Sequence, residues 1–318
     1  MLIAGPNLTI DRTLTIEELR PGEVLRFDGV AVTPGGKGVN VARVARALSA
    51  SALLVGFTPG RTGAAAAELI GEEGLRIEPV AAGGELRSTA VILERSGRVT
   101  VMNEPGPPIG AGDWERYEAT VAAALHDHAV LVCSGSAPPG APRDAYGRLV
   151  ALAARSEAAA IVDAGGDLLA EALERSPDVV APNLPEAEGL LSGRPDETVR
   201  AGDPGDVRAR AAAAAAALVR RGARAAVVTA AEAGAAKAAG ETVTWHAAPA
   251  VRVRNPIGAG DALVGGLARA LERGEPLEDA IAAGIATAAA SVETAKAGAF
   301  DPVRAAELAA GAPSPEPA

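Results

Sequence analysis

The chain has 318 residues, room for one large α/β domain or two ordinary ones. With 30 basic against 40 acidic side chains it carries a formal charge of −10 and has an isoelectric point near 5.0, which argues against nucleic acid and anionic membrane surfaces as partners. Hydrophobic residues make up 48% and aromatic ones only 2%, so global disorder is excluded and the core must be built of Ala, Val, Leu and Ile.

In chain order, short apolar runs alternate with longer Ala-rich stretches, with no repeat at a fixed period. Strands are expected at Leu2–Ala4, Ala52–Phe57, Ala129–Cys133, Ala159–Asp163, Asp178–Ala181 and Ala225–Thr229. Helices are expected at Val39–Leu48, Ala64–Glu72, Trp114–Leu125, Arg143–Ala154, Asp206–Arg221, Ala262–Glu272 and Leu277–Glu293. The strand runs are continuous rather than alternating, as for strands buried on both faces of a parallel sheet. Strand-then-helix alternation predicts a doubly wound α/β sheet with right-handed crossovers.

Two segments break this pattern. Glu23–Val32 and Leu86–Val101 alternate with period two, and the second contains the turn signal Ser96-Gly97. They read as a small separate sheet, the alternative being edge strands of the main one. The Pro-rich end, 307–318, is expected to be a disordered tail.

The longest apolar stretch, Ala211–Val219, falls short of the roughly 18 residues that span a bilayer. The N-terminus lacks the basic region of a signal peptide. A single cysteine, Cys133, allows no internal disulfide and reads as a small core residue. The expectation is a cytoplasmic protein. His126 and His128 read as helix-end residues and His246 as edge packing rather than metal ligands.

Ligands of open α/β sheets bind outside the carboxyl ends of the strands. Several expected strands end in polar residues there: Ser134-Gly135-Ser136, Asp163, Asn183 with Glu186, and Thr229. Each alone suits a cap or turn. Together on one rim they predict a ligand crevice.

Asn255–Leu267 (NPIGAGDALVGGL) is the most informative stretch. Pro256 bars helix before it, and Gly258, Ala259 and Gly260 form a tight turn from which Asp261 opens a helix. Such a turn aims backbone N–H groups at one spot beside the positive end of a helix, where an anion is stabilised. A carboxylate beside a transferring phosphate can take the proton of an attacking hydroxyl. A dinucleotide fingerprint is disfavoured, because that loop follows the first strand of its unit. A second glycine-rich turn, Pro34–Asn40 (PGGKGVN), also opens a helix, with Lys37 and Asn40 as polar groups. It is not a Walker loop: the spacing is absent and no Ser or Thr follows Lys37.

With these two segments the sequence resembles the ribokinase-like carbohydrate kinases of the phosphofructokinase-B family. PGGKGVNVARVARAL resembles the family's first signature and NPIGAGDALVGGLARAL its second. Within the family both look closest to the sugar-phosphate kinases, the branch of 1-phosphofructokinase and tagatose-6-phosphate kinase. The resemblance covers about residues 3–303. It implies a Rossmann-like, mainly parallel sheet with helices on both faces, plus a small β-sheet lid from about 10–33 and 84–104, in one kinase domain over 1–306. It implies ATP and Mg²⁺, a sugar or sugar phosphate as acceptor, and a possible homodimer through the lid.

The resemblance also implies roles. Asp261 is similar to the catalytic base, and Gly258, Ala259 and Gly260 to the anion hole. Asp11, Gly35, Gly36, Lys37, Asn40, Arg87, Ser134 and Ser136 are similar to the substrate-binding set, and Arg12 and Arg26 are further candidates for a substrate phosphate. Asn183 and Glu186 resemble the motif that organises Mg²⁺ through water. Thr229 and Gly234 resemble the nucleotide-binding turn. Two departures bear on nucleotide preference and rate: Ala181 replaces the usual Lys before Pro-Asn, and Ala231 replaces a turn glycine. The leading expectation is an ATP-dependent phosphotransferase acting on a sugar-phosphate hydroxyl. A kinase of an unphosphorylated sugar or nucleoside, and a catalytically weak sugar or nucleotide sensor, remain open alternatives.

Overall fold

The computed structural model describes residues 1–27, 29–193, 207–294 and 296–318. The chain opens on β1 (Leu2–Ala4), enters β2 (Thr9–Ile16) and β3 (Val30–Gly35), and returns through α1 (Lys37–Ala47). β4 (Leu53–Phe57), α2 (Gly60–Glu72) and β5 (Ile77–Val80) follow, then the hairpin of β6 (Ser88–Glu94) and β7 (Val99–Asn103). Next come α3 (Ala111–Leu125), β8 (Val130–Ser134), α4 (Ala145–Arg155), β9 (Ala159–Asp163), α5 (Gly166–Leu173), β10 (Val179–Val180) and α6 (Leu184–Ser192). The chain continues through α7 (Val207–Arg220), β11 (Ala225–Thr229), β12 (Gly234–Ala239), β13 (Thr242–Ala247), α8 (Ala259–Glu272), α9 (Leu277–Val292), α10 (Pro302–Ala310) and β14 (Glu316–Pro317).

The main sheet has ten strands in the order β14-β13-β12-β11-β10-β9-β8-β1-β4-β5. Neighbours are parallel from β5 to β11 and antiparallel from there to β14. β1 lies between β4 and β8, with Leu2 opposite both Leu53 and Leu131. The chain therefore winds outward through β4 and β5, then returns to build the other half. That reversal opens a crevice at the carboxyl ends of the central strands.

Burial on both faces explains the continuous apolar runs. Leu2 and Ala4 join one core under α3, α4 and α7, whereas Ile3 joins the other under α1, α8 and α9. The first core holds Phe57, Trp114 and Tyr117, whose rings lie 4.9 Å (Phe57–Tyr117) and 5.0 Å (Trp114–Tyr117) apart. Cys133 is buried there, and His126 forms the C-cap of α3. His246 is buried on β13 with Nε2 against Thr244 Oγ1 and Glu278.

β3-β2-β6-β7 form a separate four-stranded sheet, not an edge of the main one. The strand expected over Glu23–Val32 is corrected: among the described residues only Val30–Val32 of it is strand, the start of β3, and Pro21-Gly22 turns the chain just before the segment, with Gly22 at φ 87°. β2 takes the place beside β3, its Thr9, Asp11 and Thr13 alternating with Ile10, Arg12 and Leu14.

Two further differences have physical reasons. α1, α2 and α8 start two to four residues earlier than expected, through glycines that intrinsic propensity disfavours. The end of the chain is held rather than loose: α10 runs to Ala310, Glu316 and Pro317 pair with Trp245 and Thr244, and Arg208 reaches Glu316. The helix start expected at Asp206 lies outside the described residues. Among the described residues no helix is long and apolar enough to cross a membrane.

Candidate active site

A cleft of about 1510 Å³ runs along the carboxyl rim of the main sheet beneath the small sheet. It is lined by Asp11, Gly36, Lys37, Asn40, Arg87, Ser134, Ser136, Asn183, Glu186, Thr229, Gly234, Gly258, Ala259, Gly260 and Asp261. Of the residues expected at the site, Gly35, Arg12 and Arg26 are absent from the wall, and Gly35 acts on its neighbour instead. A Cβ at Gly35 would collide with the Asp11 carboxylate, so glycine leaves the space Asp11 occupies.

Asp261 sits in the first turn of α8, only 5% exposed. The N-cap is Gly258 at φ 85°, so Asp261 lies inside the helix start rather than capping it. Gly258 must be glycine on two counts, its positive φ and the approach of Ala297 and Gly298, which a Cβ would meet at 3.2 and 3.3 Å. Among the described residues no carbonyl takes up the N–H groups of Gly260 and Asp261. They remain free donors at the positive helix end.

Asn40 Nδ2 donates to Asp261 Oδ2 at 2.7 Å, and Oδ1 is left without a protein partner among the described residues. Burial, and next the Asp163 charge, push the Asp261 carboxyl up to about 7; Lys37 and the Asn40 bond pull the other way. A carboxylate so placed titrates near neutral pH, where a general base works best.

Lys37 Nζ lies 3.0 Å from Asp163 Oδ1 and 3.4 Å from Glu186 Oε1. Burial would lower its pKa, but the two carboxylates outweigh burial and hold it above the usual ammonium range. Ser134 Oγ donates to Asp163 Oδ2 at 3.3 Å. Glu186 and Asn183 form a reciprocal capping box on α6, with Asn183 N donating to Glu186 Oε2 at 2.9 Å and Glu186 N to Asn183 Oδ1 at 2.8 Å.

At the small-sheet end, Asp11 Oδ1 is buried with no hydrogen-bond partner among the described residues, and burial raises the Asp11 carboxyl above its usual range. A buried orphan acceptor facing a cleft calls for a ligand donor. Arg87 donates to the carbonyls of Leu8 at 3.2 Å, Glu104 at 3.2 Å and Asn7 at 3.0 Å, tying the base of the small sheet together, and it borders the cleft. Asn7 Nδ2 donates to Ser136 Oγ at 3.0 Å. Arg12 and Arg26 are not brought to the cleft: Arg12 alternates with Asp11 along β2 and faces away, and Arg26 is exposed. At the other end, Ala231 follows Thr229 with φ 50°, the left-handed conformation a glycine favours.

Sequence reasoning places Asp163 on the rim but gives it no role, and it misses Asn7, Thr89 and Arg43 altogether. The strand-end position was the available signal for Asp163. Among the described residues no three His, Cys, Asp or Glu side chains gather as a metal site. The donors present suit a cation carried mainly by phosphate oxygens and water, with Glu186 and Asn183 beside it.

A model of the pfkB family carbohydrate kinases matches residues 7–304. A 1-phosphofructokinase of Haloferax volcanii is 32% identical over 296 residues, covering 93% of this chain and 92% of its own. A 1-phosphofructokinase of Bacillus subtilis is 27% identical over 285 residues, covering 90% of each. The solved structure of phosphofructokinase-2 from Escherichia coli in complex with potassium superposes with a TM-score of 0.87 at 26% identity, covering 98% of both chains. The match over nearly the whole chain and the helix-start carboxylate agree: this chain belongs to the pfkB family of carbohydrate kinases.

Proposed function

We propose that this kinase transfers the γ-phosphoryl group of ATP to a hydroxyl of a phosphorylated hexose of the fructose phosphate type. The observation that carries this reading is Asp261, buried at the start of α8 and facing the cleft that the Gly36–Asn40 turn also borders. The names of the relatives supply the substrate class: 1-phosphofructokinase and phosphofructokinase-2.

In this reading Asp11 accepts hydrogen bonds from sugar hydroxyls through its orphaned Oδ1. The free N–H groups of Arg87, with Asn7 and Ser136, meet the phosphate already on the sugar. Asp261 Oδ1 takes the proton of the attacking hydroxyl. The new O–P bond forms as the bond from the γ-phosphorus to the leaving ADP oxygen breaks. The N–H groups at the α8 start hold the charge on the phosphoryl oxygens, and Lys37 adds a cation beside them. Mg²⁺, placed by Glu186 and Asn183 through water, would neutralise charge on the phosphates. The lid excludes water that would otherwise compete as acceptor.

We also place a second copy of the chain against the lid. Six of the nine large apolar side chains left exposed among the described residues belong to it, Val24, Phe27, Val32, Val99, Val101 and Met102, whereas Val253, Ile257 and Val303 lie elsewhere. Sedimentation of Val32→Lys and Met102→Lys tests the dimer: wild type should sediment as a dimer and the double variant as a monomer.

ADP formation measured over a panel of free and phosphorylated hexoses tests the activity. Turnover with fructose phosphates at least about 100-fold better than with free sugars is the expected outcome. Equal turnover of fructose would overturn the sugar-phosphate reading.

A further inference from the structure

Asn40 is oriented by groups outside the cleft. Arg43, one turn along α1, is only 6% exposed. Its Nη1 donates to Asn40 Oδ1 at 2.8 Å. Its Nε and Nη2 grip Glu73, at the end of α2, at 2.6 and 2.8 Å, and Nη2 also meets Pro34 O at 2.7 Å. Lys296 Nζ closes on Glu73 Oε1 from the other side at 3.0 Å.

A guanidinium has donors and no acceptor. Arg43 can therefore face only the oxygen of the Asn40 amide, which leaves Nδ2 for Asp261. An amide free to flip would instead turn its oxygen toward a carboxylate, and the base would lose its bond and swing. The fork-to-fork grip of Glu73 fixes the plane of the guanidinium. Burial alone would raise the Glu73 carboxyl, but Arg43 and Lys296 hold it below the usual range, so the grip stays ionic.

We propose that Glu73 and Arg43 are positioning residues that set the direction of the base: Glu73 orients Arg43, Arg43 orients the Asn40 amide, and the amide holds Asp261. The inference rests on Asp261 being the base. It adds that two side chains touching neither substrate govern kcat rather than substrate affinity.

A double-mutant cycle tests it. Asn40→Ala should lower kcat by about 100-fold, as expected for a misplaced reacting group. Arg43→Lys, which keeps the charge but loses the fork, should lower kcat by about 10-fold with KM for ATP unchanged, and Glu73→Gln by about 3-fold. In the Asn40→Ala background both should cost less than 2-fold further, because the amide they orient is gone. Losses that multiply fully in both backgrounds would overturn the relay, since a merely structural role adds. An intact kcat in Asn40→Ala would overturn the relay too, whereas the reading of Asp261 as the base fails only if Asp261→Asn turns over at the wild-type rate, so the two failures are distinct. Because Arg43 is buried, Glu73→Gln serves as the second variant should Arg43→Lys unfold the chain.

Discussion

Asn40 and Asp261 are joined by a 2.7 Å hydrogen bond although 221 residues separate them in the chain. The bond ties the first turn of α1 to the first turn of α8. Two glycine-led helix starts thereby face a single cleft with a buried carboxylate between them. The pairing gives the proposed chemistry its geometry, and several consequences are measurable.

The pH dependence is the first. A base works ionised, and burial with the Asp163 charge pushes Asp261 up to about 7. kcat/KM should rise with pH through a midpoint near 7 and level off above it. Asp163→Asn removes a like charge while Lys37, still paired with Glu186, keeps its own, so the midpoint should move to lower pH. Initial rates between pH 5 and 9 decide it, and a midpoint unmoved by Asp163→Asn would assign the titration to another group.

Stability should follow the same group with a definite sign. The folded carboxyl titrates near 7 against 3.8 for the free residue, so the folded state holds this proton more tightly. Its contribution is intact below about 3.8, declines as pH rises, and is fully lost above about 7. Asp261→Asn escapes that loss. Its melting temperature should exceed that of wild type by about 2–4 °C at pH 8, the response to ~1 kcal/mol in a large domain, and by less at pH 5. Thermal unfolding at the two pH values checks this, and a variant less stable at pH 8 would contradict it.

Gly35→Ala should act on the sugar end alone. The added methyl occupies the place of the Asp11 carboxylate. KM for the sugar phosphate should rise by about tenfold, ~1.4 kcal/mol of binding, with little change in KM for ATP. Steady-state kinetics with each substrate varied in turn measures both. An unchanged sugar KM would remove Asp11 from the binding site.

Ala231→Gly should stabilise the turn that follows β11. The left-handed φ of 50° strains an alanine by ~1–2 kcal/mol, and glycine gives back ~0.4–1 in unfolded-state freedom. A net gain of about 0.5–1 kcal/mol in urea unfolding is expected. A loss would show that the alanine methyl packs usefully there.

The parallel strands were legible because burial on both faces leaves a continuous apolar run, as in Val130–Ser134 and Ala225–Thr229. The antiparallel edge was not. β12 reads GAAKAA, a composition with more helix than strand preference, and only pairing with β11 and β13 makes it extended. β2 carried its signal openly, Thr and apolar residues alternating, yet with Asp11 and Arg12 in its middle it is absent from the strands expected from the residues alone. At the site, the glycine turns were legible because backbone geometry is written in the local sequence. The grip of Glu73 on Arg43 spans two helices 30 residues apart, and nothing local announces it. Lys37 was legible as a cation, but its partners Asp163 and Glu186 are set by the sheet order, 126 and 149 residues away.

The most direct measurement is ADP release by Asp261→Asn beside wild type at saturating ATP and fructose phosphate, with sugar-phosphate binding followed by calorimetry. The account predicts a fall in kcat of about 10²–10⁴ with binding kept within a few-fold. An Asn variant that turns over at the wild-type rate would contradict it.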